Sequence, residues 1–178
     1  MTERDKVDVG HSDAMIMLPP APVMLLAVGA EETNVATMSM FNVFSAQPIV
    51  MGVGVTTARY SYKLLRGSPD FSLNVPGVDL VETVKRCGTT SGKDIFKFEE
   101  CGLTPVPGKR IGSPKVGECL LNLEIRKKEE MSIGDHTWFL GELVHADAVP
   151  DYDRGMALTY WGGEFRRVGE VVADMFTR

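Results

Sequence analysis

A mainly β fold, a β-barrel with a few short helices, is what this sequence predicts. Three observations carry the reading. Six or more runs have strand character, being either apolar and β-branched throughout or alternating apolar with polar. Helical patterns are few and none is long. A sheet of so many short strands leaves exposed edges unless it closes on itself, and closure favours a barrel over an open sheet.

The elements follow in order. Residues 1–14 are polar and mixed in charge, a flexible arm, and 15–178 form a single domain. Pro19, Pro20 and Pro22 set an extended segment that runs into a buried strand over Val23–Val28. Gly29–Thr33 turns the chain, and Val35–Ser45 returns as one strand. Pro48 precedes a third strand over Ile49–Val55, and Tyr60–Arg66 makes a short helix closed by Gly67. Phe71–Val75 alternates as a half-buried strand does. Asp79 reads as an N-cap, with Glu82 three residues on and Gly88 as the stop. A second short helix is expected over Asp94–Cys101, with Phe96 and Phe98 turned inward. Residues 103–117 hold three prolines and three glycines and read as a loop with one edge strand. Leu121, Leu123 and Ile125 mark a strand, Met131–Asp135 a turn, and Thr137–Val149 the longest strand, with Trp138, Leu140 and Val144 on one face. Asp151–Leu158 is expected to be helical and Phe165–Val168 a last short strand.

Composition narrows the function. The net charge is −5, which speaks against a general nucleic-acid binder and leaves room for one local basic pocket. The run from Ala14 to Ala30 is short for a membrane span and is broken by prolines. No secretory signal is seen, and three cysteines without C-x-x-C spacing read as reduced thiols of a cytoplasmic protein.

One stretch carries most of the chemistry. The strand ending at Val55 delivers Thr56, Thr57, Arg59 and Ser61 to the start of a helix, and free N–H groups with one guanidinium form an anion site. A second loop, Thr89-Thr90-Ser91-Gly92-Lys93, repeats the theme before another helix, so a phosphate-bearing ligand is expected. Gly52-Val53-Gly54 is not a dinucleotide loop, since Thr57 stands where a third glycine is needed. Gly134-Asp135-His136 reads as a hairpin turn with an exposed histidine. Asp135 is not expected to partner His136, because adjacent strand residues point to opposite faces. His145 reads as structural. Tyr160-Trp161-Gly162-Gly163 suits either a stacking wall over a flat ligand or plain packing. Nothing points to a hydrolase or to a metal site.

The order of these pieces resembles the flavin reductase-like family with its FMN-binding split barrel of Greek-key type. The resemblance rests on Asn34-x-x-Thr37-x-Ser39, Ser45-x-x-Pro48, Arg59-Tyr60-Ser61-Tyr62, Phe71-x-x-Asn74-Val75-Pro76, Cys87-Gly88-x-x-Ser91-Gly92-Lys93-Asp94 and Gly134-Asp135-His136. It covers roughly residues 18–170 and looks closest to the flavoredoxin-like branch.

It implies a homodimer with FMN near the subunit interface. Asn34, Val35, Ala36, Thr37, Met38 and Ser39 would lie along the isoalloxazine ring; Thr56, Arg59, Tyr60 and Ser61 would hold the phosphate end. Ser91, Gly92 and Lys93 would reach the cofactor, with Pro22 and Trp161 at its margin. His136 would sit on the nicotinamide side. The activity implied is that of an NAD(P)H oxidoreductase passing electrons through FMN to a flavin, ferric iron or quinone. The alternatives are a flavoredoxin-type carrier, served by a ferredoxin-like partner without its own nicotinamide site, and a split barrel that binds no flavin.

Overall fold

The computed structural model describes residues 4–173. Of the expected arm, 1–3 lie outside the described residues; the rest is exposed, and His11–Ile16 winds into a short helix, α1, that buries nothing. The strands that follow are β1 (Ala21–Pro22), β2 (Met24–Val28), β3 (Asn34–Met38), β4 (Phe41–Ala46) and β5 (Ile49–Thr56). Helix α2 (Tyr60–Gly67), strand β6 (Asp70–Val75) and helices α3 (Val81–Thr89) and α4 (Lys97–Glu100) come next. A two-residue hairpin, β7 (Pro105–Val106) with β8 (Lys115–Val116), leads to the long strands β9 (Leu121–Ile133) and β10 (His136–Ala148). Strands β11 (Leu158–Trp161) and β12 (Glu164–Arg167) close the described chain.

Seven strands share one sheet in the order β3-β2-β6-β9-β10-β5-β4. β3 and β4 therefore stand at opposite ends of the order, yet Met38 and Phe41 are only three positions apart, a reach of at most about 11 Å. The two ends must meet there, so the sheet curls into a barrel. The Gly54 amide donates to the Met40 carbonyl at 2.9 Å and pins the join. Above that point β3 and the end of β5 part, leaving a slot in the wall.

The expected single strand over Val35–Ser45 is thus two strands, because the chain changes neighbours at Ser39-Met40: β3 pairs with β2 and β4 with β5. β2 is buried on both faces. Met24, Leu26 and Val28 fill the barrel with Val53, Phe71, Leu73, Ile125 and Phe139, while Val23, Leu25 and Ala27 pack outside against Val84, Cys87 and Phe98.

Other departures have physical causes. β6 is buried on every residue, not half-buried, because its polar face lies under the 103–117 loop. There Ser72 Oγ donates to the Pro114 carbonyl at 2.6 Å, and Asn74 Oδ1 accepts from the Val116 amide at 3.2 Å. Asp79 does not cap α3. It lies in a 3₁₀ turn over Val78–Leu80, and α3 runs past Gly88 to Thr89. The helix expected over Asp94–Cys101 is one turn, Lys97–Glu100, with Phe98 buried but Phe96 51% exposed. The strand from Leu121 continues to Ile133, because only Gly134 and Asp135 are needed for the turn, with Gly134 at φ +60°. β9 is then as long as β10. Trp138 and Leu140 share the face toward Gly54 and Gly52 as expected, Phe139 on the other face is in the core, and bulges at Leu140/Gly141 and Leu143/His145 break the alternation before Val144. In the expected helix Asp151–Leu158 only Arg154–Met156 turns, as 3₁₀. Among the described residues no helix is long and apolar enough to cross a membrane.

Candidate functional site

The slot in the barrel wall is a cleft of about 300 Å³. Each side comes from an element whose local sequence places it there. β3 and its link contribute Ala36, Thr37, Met38, Ser39 and Met40; the end of β5 contributes Gly54, Val55 and Thr56. The turn into α2 gives Ala58, Arg59, Tyr60 and Ser61. The end of α3 and the loop beyond give Cys87, Gly88, Thr90 and Ser91, and His136 opens β10 at the rim. Stretches far apart in sequence therefore converge on one wall.

Two of its chemical features are a strand edge and a cation. β3 ends the sheet order, so alternate backbone N–H groups along Asn34–Met38 have no strand partner on that side. Arg59 shares this lining, exposed at the start of α2 and without an ion-pair partner among the described residues. Ser61, 3% exposed, accepts from Asn34 Nδ2 at 2.9 Å, which leaves its own hydroxyl proton to donate. Elsewhere the lining is small: Ala36, Gly54, Ala58 and Gly88 let a flat group approach the backbone closely. Helix α3 is held against β3 by the Thr37 hydroxyl, which donates to the Val84 carbonyl at 2.6 Å, and Gly88 lies directly over Thr37.

His136 is partly buried, and its Nδ1 lies 2.7 Å from Asp135 Oδ1. The expectation that Asp135 points away is overturned: Asp135 belongs to the hairpin turn, where strand alternation does not apply. The hydrogen bond from His136, helped by its charge, holds the Asp135 carboxyl below the usual range. An ionised carboxylate only accepts, so Nδ1 carries the proton and Nε2 is left for other partners.

Tyr60 donates to Glu32, and that bond, with burial, raises the pKa of its phenol above the ordinary value. Burial pushes the Cys87 thiol up to about 12, with Cys101 adding to it, so the thiol on the cleft wall is not an activated nucleophile. Beneath it the buried Lys97 ammonium donates to the Cys87 carbonyl at 2.6 Å and ties the end of α3 to α4. Burial lowers the Lys97 pKa, and the positive charge of Arg59 lowers it further.

Of the residues named from sequence, Ala36, Thr37, Met38, Ser39, Thr56, Arg59, Tyr60, Ser61, Ser91 and His136 line this cleft. Asn34 lies behind it, orienting Ser61, and its Oδ1 is buried without a partner. That atom faces Gly92, where a Cβ would come within 2.0 Å of it, so only glycine fits. Val35 is in the core. Gly92 and Lys93 line a neighbouring hollow reached past Tyr60. Pro22 pairs with Thr159 in β1–β11 and does not line the cleft. Trp161 lies in a separate groove on the other side of Ser39-Met40. Thr57 is exposed and lines none of the main clefts. Sequence reasoning missed Met40, Gly54, Val55 and Ala58 as lining residues, whose only signal was adjacency to Ser39, Thr56 and Arg59; Cys87, Gly88 and Thr90 stand in the quoted motif and the second hydroxyl loop without being assigned to the site.

A second polar cluster is structural. Glu124, His145 and Asp147 bring ligand atoms within 4.8 Å of one another. The buried Lys115 ammonium occupies the space, 2.5 Å from Asp147 and 3.5 Å from Glu124. Glu124 also accepts from the amides of Lys109 and Arg110 at 2.8 and 2.6 Å. Burial raises the Asp147 pKa, but bonds and charge from Lys115 outweigh that and hold it low. The ammonium supplies the positive charge that a cation would bring.

Comparison with known proteins gives a consistent picture. The family described as flavin reductase like domain matches residues 17–169. A protein of Archaeoglobus fulgidus is 36% identical over 137 residues, 75% of this chain and 77% of that one. The NADH-dependent FAD reductase of Streptomyces globisporus is 26% identical over 151 residues, 83% and 79% of the two chains. Among solved structures, flavoredoxin from Methanosarcina acetivorans superposes with a TM-score of 0.88 at 23% identity, covering 97% and 96%. The FMN-binding protein from Thermus thermophilus with bound 1-cyclohex-2-enone gives 0.84 at 22% identity, covering 97% and 100%. These structures share the split-barrel fold with this chain.

Proposed function

The chain belongs to the flavin reductase-like domain family, and from that premise we propose that it is an FMN-binding flavoprotein. Its activity in this reading is that of an oxidoreductase, moving electrons from NAD(P)H to a flavin, ferric or other acceptor. The observation that carries the reading is the pairing of an unpartnered cation with a free strand edge in one slot. Arg59, with the Thr56 and Ser61 hydroxyls and the first amides of α2, suits a phosphate. The amides of β3 suit the oxygen and nitrogen edge of a flat heterocycle, and the small lining suits its face. Bound there, FMN would supply the hydride chemistry, and the chain's part is to place the ring and set its electrostatics. His136 stands at the rim where a nicotinamide would enter, its ring fixed by Asp135.

Anaerobic addition of NADH, then NADPH, to the FMN-loaded protein tests this. The expected result is loss of the yellow absorbance with at least one of them, slowed in His136→Ala. Persistence of the colour with both, but bleaching by reduced ferredoxin, would assign the electron-carrier role instead. Failure of FMN to raise the melting temperature would remove the flavin altogether.

A homodimer belongs to the same proposal. Val43, Phe44 and Ile49, at 48%, 48% and 41% exposure, give the β4–β5 hairpin an apolar surface of the kind a second copy covers. Light scattering is expected to give twice the 19.5 kDa chain mass, and Phe44→Glu to lower it toward one. A monomer at micromolar concentration would count against it.

A further inference from the structure

Beside the cleft, across Ser39 and Met40, runs a second groove of about 630 Å³ between α1 and the β11–β12 hairpin. We propose that this groove binds a neutral, planar ring compound of the quinone class, which serves as the electron acceptor. Its role as acceptor site rests on the flavin reading; the binding itself does not.

Three observations carry the proposal. The first is the lining. Ile16, Leu18, Phe41, Trp138, Tyr160 and Trp161 supply apolar and aromatic surface, and no carboxylate, ammonium, guanidinium or imidazole lines the groove. Arg166, stacked on the Trp161 ring at 5.1 Å, is bound to Glu164. A charged ligand would lose its hydration there without a counter-charge, whereas a neutral ring loses little. The main cleft, with Arg59, offers the opposite electrostatics.

The second is construction. The Trp161 indole donates to the Ile16 carbonyl at 3.2 Å, which fastens α1 to the hairpin and forms the far wall. Gly162 and Gly163, at φ +55° and +97°, give the tight turn that brings this wall in; a Cβ on Gly162 would lie 3.1 Å from Ile16. On the near side Trp138 is set by edge-to-face contact with Phe44, centroids 5.3 Å apart. Ser39 and Asn42 supply polar contacts for a ring carbonyl.

The third is continuity. Ser39 and Met40 line both the groove and the main cleft, so a ring in one and a ring in the other would share that short link of chain as a common wall. The reaction served is balanced: the quinone takes up two electrons and two protons to become the hydroquinone. Two electrons and one proton come from the reduced cofactor, which returns to its oxidised form, and the second proton comes from water.

Both tryptophans of the chain line this groove, so their emission reports on it directly. The test is titration of the FMN-loaded and FMN-free protein with menadione and with an anionic naphthoquinone sulfonate, following saturable quenching corrected for absorbance. Menadione is expected to saturate and the sulfonate to bind more weakly. In Leu18→Lys, an exposed position, menadione should weaken and the sulfonate tighten by about fivefold, an inversion that mere loosening of α1 would not give. Reoxidation of the reduced FMN-loaded protein should level off with menadione concentration.

Non-saturable quenching, or affinities indifferent to Leu18→Lys, would overturn the proposal. So would a fall in molecular mass in Leu18→Lys without menadione binding in the parent, since a second copy would then cover the groove. Saturable menadione binding without FMN binding would keep the ring site and remove the flavin reading. FMN binding and bleaching by nicotinamide without saturable menadione would do the reverse.

Discussion

Replacing Arg59 with methionine is expected to weaken FMN binding about 10–150-fold and to leave riboflavin binding nearly unchanged. A hydrogen bond to a charged group contributes about 1.5–3 kcal/mol, and Arg59 stands exposed and without an ion-pair partner among the described residues at the start of α2. Riboflavin has the same ring and ribityl chain without the phosphate, so the pair of ligands isolates the guanidinium–phosphate contact from any general loosening. Lysine at 59 should recover part of the loss, since it keeps the charge but not the two-pronged geometry. Calorimetric titration reads all three. Equal FMN affinity in parent and methionine variant would place the phosphate elsewhere and remove the anchor of the functional reading.

Phe139→Ala is expected to cost about 3–5 kcal/mol of stability, out of a total of about 5–15 kcal/mol for a domain of this kind. Phe139 is fully buried at the centre of the barrel on β10. Its ring meets Tyr62 edge-to-face at 5.8 Å, and Lys127 reaches over it at the same distance. Tyr62 belongs to α2, whose first turn carries Arg59 and Ser61, so the cavity would loosen the phosphate end of the cleft as well as the barrel. Urea unfolding should show a lower midpoint with little change in slope, and Phe139→Leu a smaller fall. A midpoint within experimental error of the parent would mean that the barrel interior is not the unit of stability described here.

Much of the barrel was legible from residue patterns. The all-apolar run of β2 marks a strand buried on both faces, and the alternation of Leu121, Leu123 and Ile125 marks β9 as a strand, although Asn122 and Glu124 on its other face are buried too. So did Arg59 and its hydroxyl neighbours, because the start of a helix is marked locally. Legibility stopped where one pattern serves two structures. The alternation of β6 is that of a strand facing water, yet Ser72 donates to the Pro114 carbonyl and Asn74 accepts from the Val116 amide of the covering loop while donating to the Leu25 carbonyl of β2. Nothing within Phe71–Val75 announces that loop. Trp161 has the composition of a stacking wall, but whether it stacks over the cleft or beside it depends on where the hairpin docks.

The His136–Asp135 pair shows the same limit from the other side. Alternation along a strand correctly separates neighbours, and it ceases to apply at the residue where the strand begins. Placing that boundary took the pairing of Ile133 with His136, a contact across a turn.

By itself the sequence determined that the chain is a mainly β barrel of this family and that a basic, hydroxyl-rich loop opens α2, because hydrophobic period and helix-start chemistry are local properties. The tertiary structure alone decided that β3 and β4 lie at opposite ends of one sheet order, so that closing it leaves a slot between them. It alone decided that Met40, Gly54 and Ala58 line that slot, and that Pro22 and Trp161, named from the sequence, do not. The physical reason is that a cleft is a gap between strands, and which edges are left unpaired depends on every hydrogen-bonded neighbour in the sheet.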